Sequence, residues 1–213
     1  MRHFENFDPK PWDEALSYGL EGQDAIFRHL SRLQDCRVWK ADEVEGRGAY
    51  RDSLGLPIPD LIKMEAGKDT TLVEVKSREE WWQRDGTEGP FETILEVRHI
   101  QEYAKVAQRY STKVAMVFVV RIPLNGQRTK RGFVPRGPTG CWWSYIEDLV
   151  PLIEGGENRP LPKRGGYAVE GRGLRRIQDG GPLRPFAPWD EATKSVPVDP
   201  AAWAAWKAAE VGH

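Results

Sequence analysis

A chain of 213 residues with 31 Lys/Arg against 32 Asp/Glu and a formal net charge of −1 can bury one sizeable core, but it is not a polycation that would coat nucleic acid over its whole surface. Two cysteines, Cys36 and Cys141, exclude a disulfide framework and a cysteine-only cluster site. No apolar run approaches the roughly 20 residues of a membrane span, and the opening MRHFENFDPKPWDEA lacks the apolar centre of a signal peptide, so the expectation is a soluble intracellular protein.

In chain order, residues 13–34 predict a helix. Acidic residues open it, and Ala15, Leu16, Leu20, Ile26, Phe27, Leu30 and Leu33 follow the helical period. Gly19 and Gly22 inside it suggest close approach of another element. CRVWK (36–40) reads as a short strand. LPIPDLIKM (56–64) and TTLVEVKS (70–77), joined across a turn at Gly67, read as a hairpin. Residues 78–90 read as a loop and 91–110 as a second helix. KVAMVFVVRI (113–122) is a nearly continuous apolar run, as a buried central strand requires. This order, helix, three strands, helix, strand, predicts an α/β fold with a mixed sheet flanked by helices.

After residue 122 the texture changes. Residues 121–185 carry twelve Lys/Arg and six Asp/Glu and are rich in Gly and Pro. The expectation is a core over 1–122 and a basic extension over 123–213 that packs on it, with short helices at 141–153 and near the C-terminus, where Trp203 and Trp206 lie one turn apart, and a short strand at YAVE (167–170).

The strand at 70–77 poses a chemical question. Alternation puts Glu74 and Lys76 on one face. Glu-x-Lys alone is common and is first read as the solvated face of a strand. Across the hairpin, however, Asp60 can bring a second carboxylate beside Glu74, and like charges at short range need a cation between them. Two carboxylates, the backbone carbonyl of Val75 and waters suit Mg²⁺, with Mn²⁺ as a substitute. Lys76 would then face a metal-held water and a phosphate.

PD at 59–60 followed by EVK at 74–76 resembles the signature of the PD-(D/E)xK nuclease superfamily, and the resemblance covers roughly residues 13–122. It implies a restriction-endonuclease-like core (αβββαβ) and Mg²⁺-dependent hydrolysis of DNA phosphodiester bonds, with Asp60 and Glu74 as metal ligands and Lys76 positioning the water. The resemblance also implies an acid on the first helix. Glu21 is the natural match, in a string similar to that of phage junction-resolving endonucleases, with Gln23 as its rival. On the second helix it implies a polar residue, for which Gln101 comes before Tyr103 and His99. An iron–sulfur exonuclease of the same superfamily is excluded by the missing cysteines.

Arg78, Arg84, Arg121, Arg128, Lys130, Arg131 and Arg136 are the candidate phosphate contacts. Trp81, Trp82, Trp142 and Trp143 fit either base contacts or the core. The resulting expectation is a metal-dependent DNA endonuclease, acting on DNA and able to work as a homodimer. The alternative is a nuclease-like fold that binds nucleic acid or protein without cutting. No phosphate-binding glycine motif or nucleophile elbow supports a small-molecule enzyme.

Overall fold

The structure is a computed structural model that describes residues 10–33, 35–41, 43, 52, 55–78, 92–121, 128–129, 132–133, 139–154, 174–178, 181–190 and 192–197. Helix α1 (Lys10–Ser31) leads into strands β1 (Cys36–Lys40), β2 (Leu61–Glu65) and β3 (Thr71–Arg78). Then follow β4 (Glu92–Glu96), α2 (Val97–Tyr110) and β5 (Lys113–Val120). Beyond them lie β6 (Arg128–Thr129), β7 (Gly132–Phe133), β8 (Gly140–Tyr145), α3 (Ile146–Glu154), β9 (Leu174–Gln178) and β10 (Arg184–Ala187). Among the described residues no helix is long and apolar enough to cross a membrane.

Six strands form one mixed sheet in the order β1-β2-β3-β5-β8-β10. The pair β3/β5 is parallel, and the other neighbours in it are antiparallel. A parallel neighbour requires a long crossover, and β4 with α2 supplies it. The expected helix–three strands–helix–strand order is therefore present, with β4 inserted before the second helix.

Strand β5 explains why the sheet carries a core on both sides. Val114, Met116, Phe118 and Val120 join α2 and α3 residues such as Ile100, Tyr103, Ile146 and Leu149 in one buried cluster. Ala115, Val117 and Val119 face the other way, with Ala25 and Ile26 of α1, Val73 and Val75 of β3, and Trp189. A strand covered on both faces must be apolar at every covered position, as VAMVFVV is after the exposed Lys113.

Three departures from expectation change the sheet or the placing of Asp60. β2 starts at Leu61, because Pro57 and Pro59 lack the N–H that a ladder needs; Asp60 thus sits at the entrance to the strand. Residues 92–96 form a strand paired to β9, a partner about 80 positions away in sequence that no local pattern reveals. Residues 141–145, expected to begin a helix, belong to β8 (Gly140–Tyr145) between β5 and β10, and the helix covers Ile146–Glu154 only. Thus β8 and β10 continue the sheet that β1, β2, β3 and β5 begin. Arg78, expected to open a loop, ends β3; the rest of that expected loop (78–90), the expected strand at 167–170 and the C-terminal helix lie outside the described residues.

The glycine expectation holds at Gly22, where a Cβ would lie 2.0 Å from Ser77 Oγ. It does not hold for Gly19, whose Cβ would meet open space; there the backbone carbonyl accepts a 3.5 Å hydrogen bond from Ser77 instead. Gly67, at φ +72°, makes the β2–β3 turn in the left-handed region that suits glycine.

Candidate active site

Alternation along β3 sends Val73 and Val75 to the α1 face and Glu74 and Lys76 to the α2 face. Glu74 is only 5% exposed. A carboxylate so far from water needs partners, and it has two. The Lys76 ammonium pairs with Oε1, and the Tyr103 hydroxyl of α2 hydrogen-bonds the same carboxylate. Burial, then the charge of Glu74 and its hydrogen bond, then the charge of Asp60, push the Tyr103 phenol far above its ordinary range. It therefore stays protonated and donates.

Asp60 is fixed by the backbone of β3. Its Oδ2 accepts a hydrogen bond from Val75 N–H at 2.7 Å, while its own carbonyl accepts one from Ala41 N–H at 3.0 Å. Because Val75, whose N–H holds the Asp60 carboxylate, directly follows Glu74 in β3, the two acids lie at neighbouring positions of the hairpin. His99, one turn before Tyr103, stands at its edge, its Nε2 3.9 Å from Glu96 Oε2. Burial first, then the Lys76 charge, lowers its pKa, which favours the neutral, proton-accepting imidazole.

Other expected residues fall elsewhere. Gln101 is exposed on α2, whereas Tyr103 shares the buried face with Ile100 and Val106; the helical period alone separates these two. Glu21 turns its carboxylate to Arg121 (2.8 Å) and Lys194 (3.2 Å). The α1 side chain that approaches Asp60 is Gln23, whose Nε2 lies 3.5 Å from the Asp60 carbonyl oxygen.

Arg121, expected among the phosphate contacts, is corrected by its surroundings. It is 2% exposed, paired with Glu21, and lies between the rings of Tyr18 (4.1 Å) and Trp189 (4.8 Å). It follows an apolar strand into the interior, so its charge joins α1 to the 184–196 segment and is not presented to solvent. Arg78 and Arg128 lie in β3 and β6. Arg84, Lys130, Arg131 and Arg136, with Trp81 and Trp82, lie outside the described residues. Trp142 is a fully buried core residue, and Trp143 packs edge-on against Tyr145 at 4.8 Å.

The donor chemistry matches a hard cation in kind. Mg²⁺ takes oxygen ligands, is content with one or two carboxylates, and keeps several waters. Asp60 and Glu74 supply two carboxylates, and the Val75 carbonyl is the third oxygen that the sequence nominates. Among the described residues no group of three or more His, Cys, Asp or Glu is arranged to hold a metal ion.

No protein-family model and no curated protein matches the chain. A solved structure of a Holliday junction resolvase from the archaeal hyperthermophile Archaeoglobus fulgidus aligns with 76% of this chain and 89% of that chain, at 12% identity and a TM-score of 0.41. That degree of likeness assigns no family and no activity.

Proposed function

We propose that the chain is a metal-dependent DNA nuclease, an endonuclease, whose site is built on Asp60, Glu74 and Lys76. The observation that carries this reading is the convergence of two carboxylates from separate segments beside a lysine on one strand. When bound, Mg²⁺ would supply charge stabilisation at a phosphate, and Mn²⁺ would substitute for it. Asp60, Glu74 and the Val75 carbonyl would hold it. Val75 N–H fixes the Asp60 carboxylate, and Tyr103 fixes that of Glu74. Lys76, released from Glu74, would orient the attacking water and neutralise a phosphate oxygen. Glu21 would assist only after leaving Arg121 and Lys194. Arg78, Arg84, Arg128, Lys130, Arg131 and Arg136 remain candidate phosphate contacts, and Gln101 a candidate polar residue at the rim.

The second reading is a nuclease-like fold that binds nucleic acid or a protein partner without cutting. Two observations favour it over the first as far as metal chemistry goes: the described residues hold no three-group metal cluster, and Glu74 is already engaged by Lys76 and Tyr103. Plasmid and branched DNA, incubated with Mg²⁺ or with chelator, separate the two. The catalytic reading expects cleavage by the wild type that chelator abolishes and that Glu74→Ala lowers by at least about a hundredfold. Salt-dependent DNA binding with no metal-dependent cleavage by either protein would leave the binding reading standing.

A further inference from the structure

Next to this site lies a cavity of about 310 Å³ that the reaction does not use. Pro57, Ile58, Pro59, Ile62, Leu72 and Tyr110 wall it. It adjoins the site on two sides. Pro59 directly precedes Asp60 in the chain, and Leu72 stands two residues before Glu74 on the same face of β3, about 7 Å along the strand.

The chemistry of the walls selects an occupant. Among the described lining residues none is Lys or Arg, so nothing there attracts a phosphate. The side chains of Thr112, Asp52 and Tyr110 are engaged within the protein. Thr112 Oγ1 donates to the Thr70 carbonyl. Asp52 accepts from Tyr110 Oη at 2.6 Å and from Leu56 N–H at 2.8 Å. Gly55, at φ +75°, closes that turn through its N–H to the Asp52 carbonyl at 2.9 Å. Asp52 is thus held by its own turn, and it in turn holds the Tyr110 ring, which is 52% exposed at the end of α2. A large, exposed ring clamped by its hydroxyl is a ready stacking surface. The volume stands at the lower end for small-molecule pockets, enough for one planar group.

We propose that this cavity is a nucleobase subsite, taking one unstacked base of the substrate strand and stacking it on Tyr110 beside the phosphate to be cut. The inference rests on the nuclease reading for the neighbouring phosphate, and it specifies the substrate class: DNA with an unpaired base at the cleavage point, as in single strands, flaps and branch points, in preference to continuous duplex.

The test uses the full chain and oligonucleotides carrying 2-aminopurine, with Ca²⁺ in place of Mg²⁺ so that binding is read without cutting. The wild type is expected to quench the fluorescent base in a single strand and to leave it unchanged within a continuous duplex. Tyr110→Ala is expected to weaken single-strand binding about tenfold relative to duplex, the effect of losing one stacked base. Ile58→Trp, which fills the cavity from a half-buried position, should do the same, and Tyr110→Phe should keep most of the quenching. Circular dichroism and thermal melts confirm that each variant is folded. Unaltered single-strand selectivity and quenching in both Tyr110→Ala and Ile58→Trp would overturn the subsite and leave the cavity to an apolar side chain of another protein. Tyr110-dependent quenching in a protein that shows no Mg²⁺-dependent cleavage would uphold the subsite while removing the hydrolytic reading.

Discussion

Lys76 acts first as the counter-charge of a carboxylate that is almost out of water. The Glu74 side chain is 7% exposed and that of Lys76 21%, so removing the ammonium leaves a buried anion whose remaining partner among the described residues is Tyr103. Lys76→Ala should lower stability by about 3 kcal/mol, the low end for breaking a buried pair, because Lys76 keeps some contact with water. If Asp60 and Glu74 hold a cation, Mg²⁺ should restore part of this loss, and the Mg²⁺-induced rise in melting temperature should be larger in Lys76→Ala than in the wild type. Equal shifts in the two proteins would speak against a cation between these carboxylates. Glu21 offers a pH test. Hydrogen bonds from Arg121 first and Lys194 second hold its carboxyl below its ordinary value of 4.5. A depressed carboxylate stabilises the fold fully above that ordinary value and loses the contribution as pH falls through the depressed one. Glu21→Gln should therefore be less stable than the wild type near neutrality, with the gap closing on acidification below about pH 4.5. Urea midpoints between about pH 3 and 7 would show it. That Glu74 and Lys76 share one face of β3 was legible in the sequence because a strand's alternation is strict. The engagement of Glu21 and Arg121 was not, since both partners come from segments far along the chain.

At the scale of elements, the close crossing of α1 over β3 depends on a missing side chain. A Cβ at position 22 would meet Ser77 Oγ at 2.0 Å and Ser77 Cβ at 3.3 Å. Gly22→Ala gains about 1 kcal/mol of helix propensity and incurs overpacking of about 1–3 kcal/mol, so a net loss of roughly 1 kcal/mol is expected. Removing the oxygen by Ser77→Ala in the same chain should recover most of it, and a thermal-melt double-mutant cycle measures the coupling. Additive effects would mean that α1 does not sit this close. Glycines in a helix were a readable sign of such a crossing, although the sequence could not say which of the two would make it. Local pattern also sufficed for α1, β1, β3, α2 and β5. It failed for β4 and β8, where ETILE and GCWWSY become strands because β9, β5 and β10 pair with them. Pairing at long sequence separation is a tertiary decision, and short apolar runs carry too little periodicity to reveal it.

For the whole molecule the question is whether residues 1–122 stand alone. The sequence suggests a boundary there because composition changes from acidic to basic and Gly/Pro-rich. The sheet runs across that boundary. β5 is paired to β3 on one side and to β8 on the other, with Phe118 opposite Trp142. Trp142, Ile146 and Leu149 belong to the same buried cluster as Ile100, Tyr103 and Phe118. On the other face Trp189 covers Arg121, and the Lys194 ammonium reaches Glu21 on α1. Cutting after residue 122 would turn a central strand that is apolar from Val114 to Val120 into an exposed edge, which invites pairing with other chains, and would strip the α2 face of several of its large buried side chains. The fragment 1–122 is therefore expected to lack a cooperative thermal transition, to bind an apolar dye and to self-associate, while the full chain melts in one step. A fragment that melts cooperatively as a monomer, with dispersed amide resonances, would instead make 1–122 a self-standing core and β8 to β10 an accessory layer.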